Sequence, residues 1–245
     1  MSPSLRLLPF ETLTGPANMA ADEVLLESAV AGVASLRFYA WSEPTLSLGY
    51  FQPAAERLLD PALAELAWVR RATGGSALVH HHEVTYALAL PPGLPWQSKV
   101  RPWSCRFHDV IADALKPLGA RTSQVVCGDE RKLGPMLCFL DQTPGDLLAS
   151  GAKVVGSAQR KQKGALLQHG GILLKQSPFT PTLPGLHERT GVEITGEEVA
   201  RRVEAAFAEG TGWELVPGQW SSAELDRRLA IKKDRYGNAE WNERR

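Results

Sequence analysis

One stretch of this sequence, Cys138 to Gly171 (CFLDQTPGDLLASGAKVVGSAQRKQKGALLQHGG), brings together a thiol, an amine at Lys153 and a glycine-punctuated polar patch that runs to His169-Gly170-Gly171. A cysteine attacks as its thiolate, and a neighbouring ammonium stabilises that anion by Coulombic attraction. Attack on a thioester yields a second thioester of similar energy, so acyl transfer between thiols needs no ATP. Free cysteine is also among the most buried residue types. Residue types and spacing alone leave both readings of Cys138 open, nucleophile and inert core.

The elements that must position these groups are short. Cys138 lies in the apolar run Met136 to Leu140, between the turn signals Gly134-Pro135 and Thr143-Pro144-Gly145, which predicts a thiol on or beside a strand. Lys153 opens a second strand, Lys153 to Gln159, in which Gly156 marks a close approach by ligand or backbone. A polar turn at Arg160 to Gly164 and a return strand, Ala165 to Leu174, broken by His169-Gly170-Gly171, complete a hairpin. Cys138 and Lys153 then sit on separate elements able to face one another across a pocket.

A second candidate site is Arg70-Arg71 beside the Gly74-Gly75 turn. Guanidinium groups next to backbone N–H groups that glycine leaves accessible suit an anion or a carbonyl, and a solvated pair of arginines beside a tight turn fits the same residues. His80-His81-His82 invites a metal, but neighbours on a strand point to opposite faces and no Cys or His follows at ligand spacing, so none is expected. Cys105 reads as structural, and Cys127, in the predicted turn Cys127-Gly128-Asp129, is a competing nucleophile.

The run Arg70 to His80, RRATGGSALVH, resembles the RRxTGGxAxxH signature of the biotin and lipoate-protein ligase catalytic-domain family, and Lys153 to Gln159 resembles that family's lysine strand. With Cys138-Phe139 upstream, GSAQR at Gly156 to Arg160 and LQHG at Leu167 to Gly170, the chain is most similar to the family's cysteine-dependent octanoyltransferases, the LipM type. The resemblance runs from about Asn18 to the C-terminus. It implies an α+β fold: a mixed, largely antiparallel β-sheet flanked by helices, in a single catalytic domain spanning residues 1–245 with no accessory C-terminal domain.

The activity implied is transfer of an octanoyl group from acyl carrier protein, through a thioester on Cys138, to a lysine of a lipoyl-carrier protein such as the glycine cleavage H protein. Lys153 would be the activating cation, so Lys153→Ala is expected to spare the fold and slow acylation. Arg70, Arg71, Gly74, Gly75, His80 and His169 would shape the pocket, and backbone amides near Gly156, Ser157 and Ala158 would face the developing oxyanion. No cofactor is implied. Alternatives are an ATP-dependent lipoate-protein ligase, using ATP and Mg with Cys138 incidental, an amidotransferase between carrier proteins, and a non-catalytic carrier-binding module. Ser76 and Ala87 stand where this type often has arginine and serine, which leaves substrate choice open.

The rest of the sequence bounds these readings. At 245 residues, 44% hydrophobic and 22% charged, with 27 basic and 27 acidic side chains, it has an ordinary globular composition. Balanced charge points to neither nucleic acid nor membrane, and no apolar run approaches a membrane span. The N-terminus lacks signal-peptide features, and three cysteines without CxxC spacing suit a reducing compartment, so a cytoplasmic location is expected.

Helices are predicted from Asn18 to Gly32, with Asn18 as cap and an amphipathic stripe, and from Phe107 to Leu115. Two more follow the capping patterns at Thr195 and Ser221. Strands are predicted over Leu5–Phe10, Ser35–Ala40, Thr45–Gly49, Trp68–Thr73, Ala77–His80 and Val84–Leu90.

Overall fold

A computed structural model of the chain describes residues 3–93, 101–132 and 137–245. In chain order the strands are β1 (Ser4–Leu7), β2 (Glu11–Leu13), β3 (Ser35–Trp41), β4 (Thr45–Leu48), β5 (Ala67–Arg70), β6 (Leu78–His80), β7 (Glu83–Leu90), β8 (Thr122–Gln124), β9 (Leu147–Ala149), β10 (Ala152–Gln162), β11 (Ala165–Leu173) and β12 (Glu214–Pro217). The long helices are α1 (Gly15–Val30), α2 (Trp103–Leu115), α3 (Gly196–Thr211) and α4 (Ser222–Ile231).

The main sheet runs β12-β1-β3-β7-β11-β10-β9-β8, with β2 also beside β3. Pairing is parallel around β1 and β2 and antiparallel from β3 through β8. A small sheet, β5-β4-β6, stands apart from it. This is the mixed, largely antiparallel sheet with flanking helices anticipated above.

Helices α2 and α3 pack on one face through Phe107, Ile111, Val203 and Phe207, and α1 covers the other through Met19, Val24 and Leu25. No helix among the described residues is long and apolar enough to cross a membrane.

Several elements depart from the sequence reading, each for a physical reason. Helix α1 is not amphipathic, because it is covered by the sheet on one side and by α4 on the other. Asn18 lies inside it rather than at its start, where its amide bonds the carbonyls of Leu13 and Ala40.

Strand β11 is unbroken at Gly170-Gly171, both of which keep register with β7 and β10. The hairpin turn narrows to Lys163-Gly164, both at positive φ as a two-residue primed turn requires. Cys138 is not in a strand: Leu137 makes a single bridge to Ala77, and Cys138 to Leu140 form a turn. Gly134, Pro135 and Met136 lie outside the described residues.

Glu224 ties three elements together. It closes the capping box of α4 with Ser221, accepts both terminal nitrogens of Arg6 on β1 at 2.9 and 2.7 Å, and accepts Ser28 Oγ of α1 at 2.7 Å. Although burial opposes ionisation, these donors hold its carboxyl down at about 2, below the ordinary 4.5.

A depressed carboxylate stabilises the fold above its unfolded pKa and loses that contribution as pH falls toward its folded one. Glu224→Gln is therefore expected to cost about 1–2 kcal/mol at pH 7. In urea titrations the gap to the parent protein should close between about pH 4.5 and about 2.

Candidate active site

The hairpin β10–β11 forms one wall of a largely apolar cavity of about 490 Å³, part of it open to solvent. Cys138, Phe139, Arg71, Gly75, Leu78, His80, Trp41, Met19, Gly156, Ser157, Ala158 and His169 all line it. Glycine is required in the hairpin by close approach. A Cβ on Gly170 would sit 2.3 Å from the Gly156 carbonyl oxygen, and one on Gly156 would sit 2.5 Å from Lys153 Cε.

Lys153 Nζ lies 3.8 Å from Cys138 Sγ. The same ammonium donates to Cys138 O at 3.1 Å and Asp141 O at 3.0 Å, and pairs with Asp146 at 2.7 Å. An ammonium has three N–H donors, and these three oxygens take them. Toward sulfur Lys153 offers charge rather than a directed hydrogen bond, and that charge is shared with a carboxylate that also accepts Thr143 N at 2.7 Å. Capture of two carbonyls by Nζ also explains why the Cys138 segment is a turn. Cys138 N–H, in addition, donates to Ala77 O at 2.7 Å.

Arg71 is the second cation of the cavity, and among the described residues no carboxylate pairs with it. Its Nη1 donates to Ser47 O and Oγ, and its Nη2 to Gly74 O and Ser76 O, at 2.7 to 3.0 Å. Burial pulls its pKa down, and the negative charge available at Cys138 opposes that fall. Its bonds to Gly74 and Ser76 hold the turn that leads into Ala77, and so anchor the backbone on which Cys138 rests.

Buried carboxylates hold the two cavity histidines. His80 Nδ1 bonds Glu83 and its Nε2 meets Ser47 Oγ at 2.7 Å. Because a carboxylate only accepts, the proton belongs on Nδ1 and the Ser47 hydroxyl donates to Nε2. Burial pushes His80 below its ordinary value although Glu83 pulls the other way, so the ring is neutral at pH 7. Thr85 Oγ1 donates to Glu83 and accepts Trp41 Nε1, and the Trp41 ring stacks on His80 at 3.7 Å. His169 is held by Asp22 at 2.8 Å and by Thr73 Oγ1 at 2.7 Å, and Tyr39 Oη donates to the same Asp22 oxygen.

Strand β9 pairs with β10 only as far as Val155. Among the described residues no strand pairs with the outer edge of β10 from Gly156 onward, so alternate N–H groups there have no ladder partner. This is the edge beside Ser157 and Ala158.

Two residues anticipated as pocket-forming stand elsewhere. Arg70 is fully buried outside the cavity, where Nε donates to Asn242 O at 2.9 Å and Nη1 to Gly49 O at 3.0 Å and Gln52 O at 2.6 Å. Gly74 belongs to the turn around Arg71 but does not line the cavity. The reading of Arg70-Arg71 as one anion or carbonyl site is corrected accordingly: Arg70 is buried outside the cavity with Nε and Nη1 on backbone carbonyls, and Arg71 lines the cavity.

His81 and His82 follow β6 in a turn and stack on each other at 3.7 Å, rather than alternating along a strand. Among the described residues no cluster of His, Cys, Asp and Glu is arranged to hold a metal. Asp22, Glu83, Asp146, Ser47 and Thr73 were not anticipated. The only local signal is a charged residue within an apolar pattern, as with Asp22 between Met19 and Leu25.

The fold and the cavity define a class. The family model for the lipoyl protein ligase A/B catalytic domain matches residues 15–180, and the chain belongs to that family. Within it, the chain is 35% identical to the octanoyltransferase LipM of Moorella thermoacetica, over 93% of each chain. It is 31% identical to the octanoyltransferase LipM of Kyrpidia tusciae, over 93% of this chain and 94% of that one.

Solved structures share the fold. Lipoate-protein ligase A bound with ATP superposes with a TM-score of 0.78 at 21% identity, covering 99% of both chains. A bi-partite lipoate protein ligase, solved in work that includes its E2 lipoyl domain from Thermoplasma acidophilum, gives 0.72 at 20% identity, over 98% of this chain and 96% of that one.

Proposed function

We propose that this protein is an octanoyltransferase of lipoate biosynthesis, which takes octanoyl from acyl carrier protein and delivers it to a lysine of a lipoyl-carrier protein such as the glycine cleavage H protein. The observation that carries this reading is the half-buried Cys138 thiol at an apolar cavity, 3.8 Å from a buried ammonium. Full-length similarity to relatives named octanoyltransferase LipM supports it.

In the first step the Cys138 thiolate attacks the donor thioester carbonyl. A carbon–sulfur bond forms to Cys138, the bond to the carrier thiol breaks, and the released thiolate takes up a proton. In the second step the neutral ε-amine of the acceptor lysine attacks the Cys138 thioester. An amide bond forms, Cys138 leaves as thiolate and the amine's proton is lost to solvent. N–H groups on the unpaired edge of β10 beside Gly156 to Ala158 would receive the oxyanion of both tetrahedral intermediates.

Lys153 and Arg71 supply positive charge to sulfur when it carries the anion. His80 and His169, fixed by their carboxylates, give the cavity a rigid wall for the acyl tail. Each step exchanges one acyl bond for another, so no ATP, metal or organic cofactor is required, and free cysteines suit the reducing cytoplasm.

The test is incubation with octanoyl-acyl carrier protein in the absence of ATP, followed by intact mass measurement. A single octanoyl adduct that disappears on addition of the acceptor protein is the expected result. Transfer that requires free octanoate and ATP would assign the chain to the ligases.

A further inference from the structure

We propose that the surface beside the Gly74-Gly75 turn, built from Tyr50, Phe51, Arg160, Arg244 and Arg245, docks the acidic face of the octanoyl-carrying donor protein. This inference rests on the transferase reading and adds to it where the donor sits.

The surface borders the cavity through covalent and hydrogen-bonded neighbours. Tyr50 N–H donates to Thr73 O at 2.8 Å, and a Cβ on Gly74 would meet the Phe51 ring at 3.8 Å, one residue from the cavity-lining Gly75. Arg160 lies on β10 two residues beyond the cavity-lining Ala158, on the same strand face, and donates to Ala72 O at 3.2 Å. A donor whose prosthetic arm enters the cavity would therefore rest its body here.

Its composition suits a protein partner that is negatively charged. Phe51 is 70% exposed, and Leu58 and Leu59 on the adjoining turn are 57% and 73% exposed. Arg245 stands over the rings of Tyr50 and Phe51 at 5.1 and 5.2 Å, and Arg244 over Tyr50 at 5.0 Å. Some arginines elsewhere on the surface are matched by carboxylates, as in Arg227–Glu27, Arg228–Glu11 and Arg235–Glu23. No ion pair among the described residues takes up Arg160, Arg244 or Arg245.

The buried Arg70 guanidinium beneath adds to the same field. Burial and these two arginines depress its pKa, and Arg245, Arg244 and Arg160 together lower that of Tyr50. In a chain with 27 charges of each sign, this local excess is a directed feature.

The experiment compares wild type with Arg244→Glu/Arg245→Glu, both exposed positions, using octanoyl-acyl carrier protein and octanoyl-pantetheine as alternative donors. The double variant is expected to lose at least tenfold in kcat/KM for Cys138 acylation by the carrier protein, to stay within twofold of wild type with octanoyl-pantetheine, and to lose most of its salt dependence. Unchanged kcat/KM with the carrier protein overturns the proposal. So does an equal loss with both donors, since the arginines would then serve the cavity and not a docked protein.

Failure of the transferase reading is separable. If wild type accepts octanoyl from neither donor, fluorescence anisotropy with labelled, unacylated carrier protein still decides the surface. Salt-sensitive binding lost in the double variant supports docking, and binding that is absent or insensitive to both changes overturns it.

Discussion

Cys138→Ala is expected to eliminate the octanoyl adduct and lower ATP-independent transfer by at least about a thousandfold, because among the described residues no other thiol lines the cavity. Cys105 and Cys127 lie outside its lining. The fold should be spared. The thiol is only half-buried, lies 3.8 Å from the Lys153 ammonium at the edge of the Phe139, Leu173 and Leu183 cluster, and the segment is anchored by backbone groups that alanine keeps. A melting temperature within about 2 °C of wild type, with mass spectrometry showing no adduct, is the result that assigns the acyl carrier role to this sulfur. Retained ATP-free transfer by the variant would remove Cys138 from the chemistry altogether.

The sequence made visible what depends on local pattern. The period of Phe107 to Leu115 marks α2, the boxes at Thr195 and Ser221 mark the starts of α3 and α4, and β-branched residues around Lys153 mark β10. For Cys138 and Lys153 the local pattern permitted a meeting without requiring it, and the structure brings them to 3.8 Å across the turn and β9 that precede β10.

Contacts between distant segments were not legible. His169 is fixed by Asp22, 147 residues away, and Arg70 by Asn242, 172 residues away. Gly170-Gly171 reads as a strand break because glycine commonly ends strands, whereas here it permits β11 to pass close to β10 and Tyr86. Arg71 fits a solvated arginine and a ligand-facing one equally well by residue type, and in the structure it lies buried at the cavity among carbonyls that the Gly74-Gly75 turn directs at it.

Lys153 shows most clearly how burial changes an expectation drawn from residue type. As a cation beside a thiol it could be removed without harm to the fold. In the structure it is 3% exposed and faces Asp146, also 3% exposed, at 2.7 Å. Lys153→Met leaves that carboxylate buried without its counter-charge, and removing one partner of a buried pair costs about 3–5 kcal/mol. For a chain of this length such a loss lowers Tm by roughly 10 °C.

Asp146→Asn should be destabilising for the converse reason. Lys153→Met/Asp146→Asn, which removes both charges while keeping an acceptor for Thr143, is expected to recover most of the lost Tm. Acylation should remain at least about a hundredfold below wild type in the double variant, because the charge beside sulfur is gone and the carbonyls of Cys138 and Asp141 have lost their donor. Calorimetry and acylation rates on all four proteins separate the two roles. Recovery of both stability and rate in the double variant would make Lys153 a structural residue whose nearness to Cys138 has no chemical consequence.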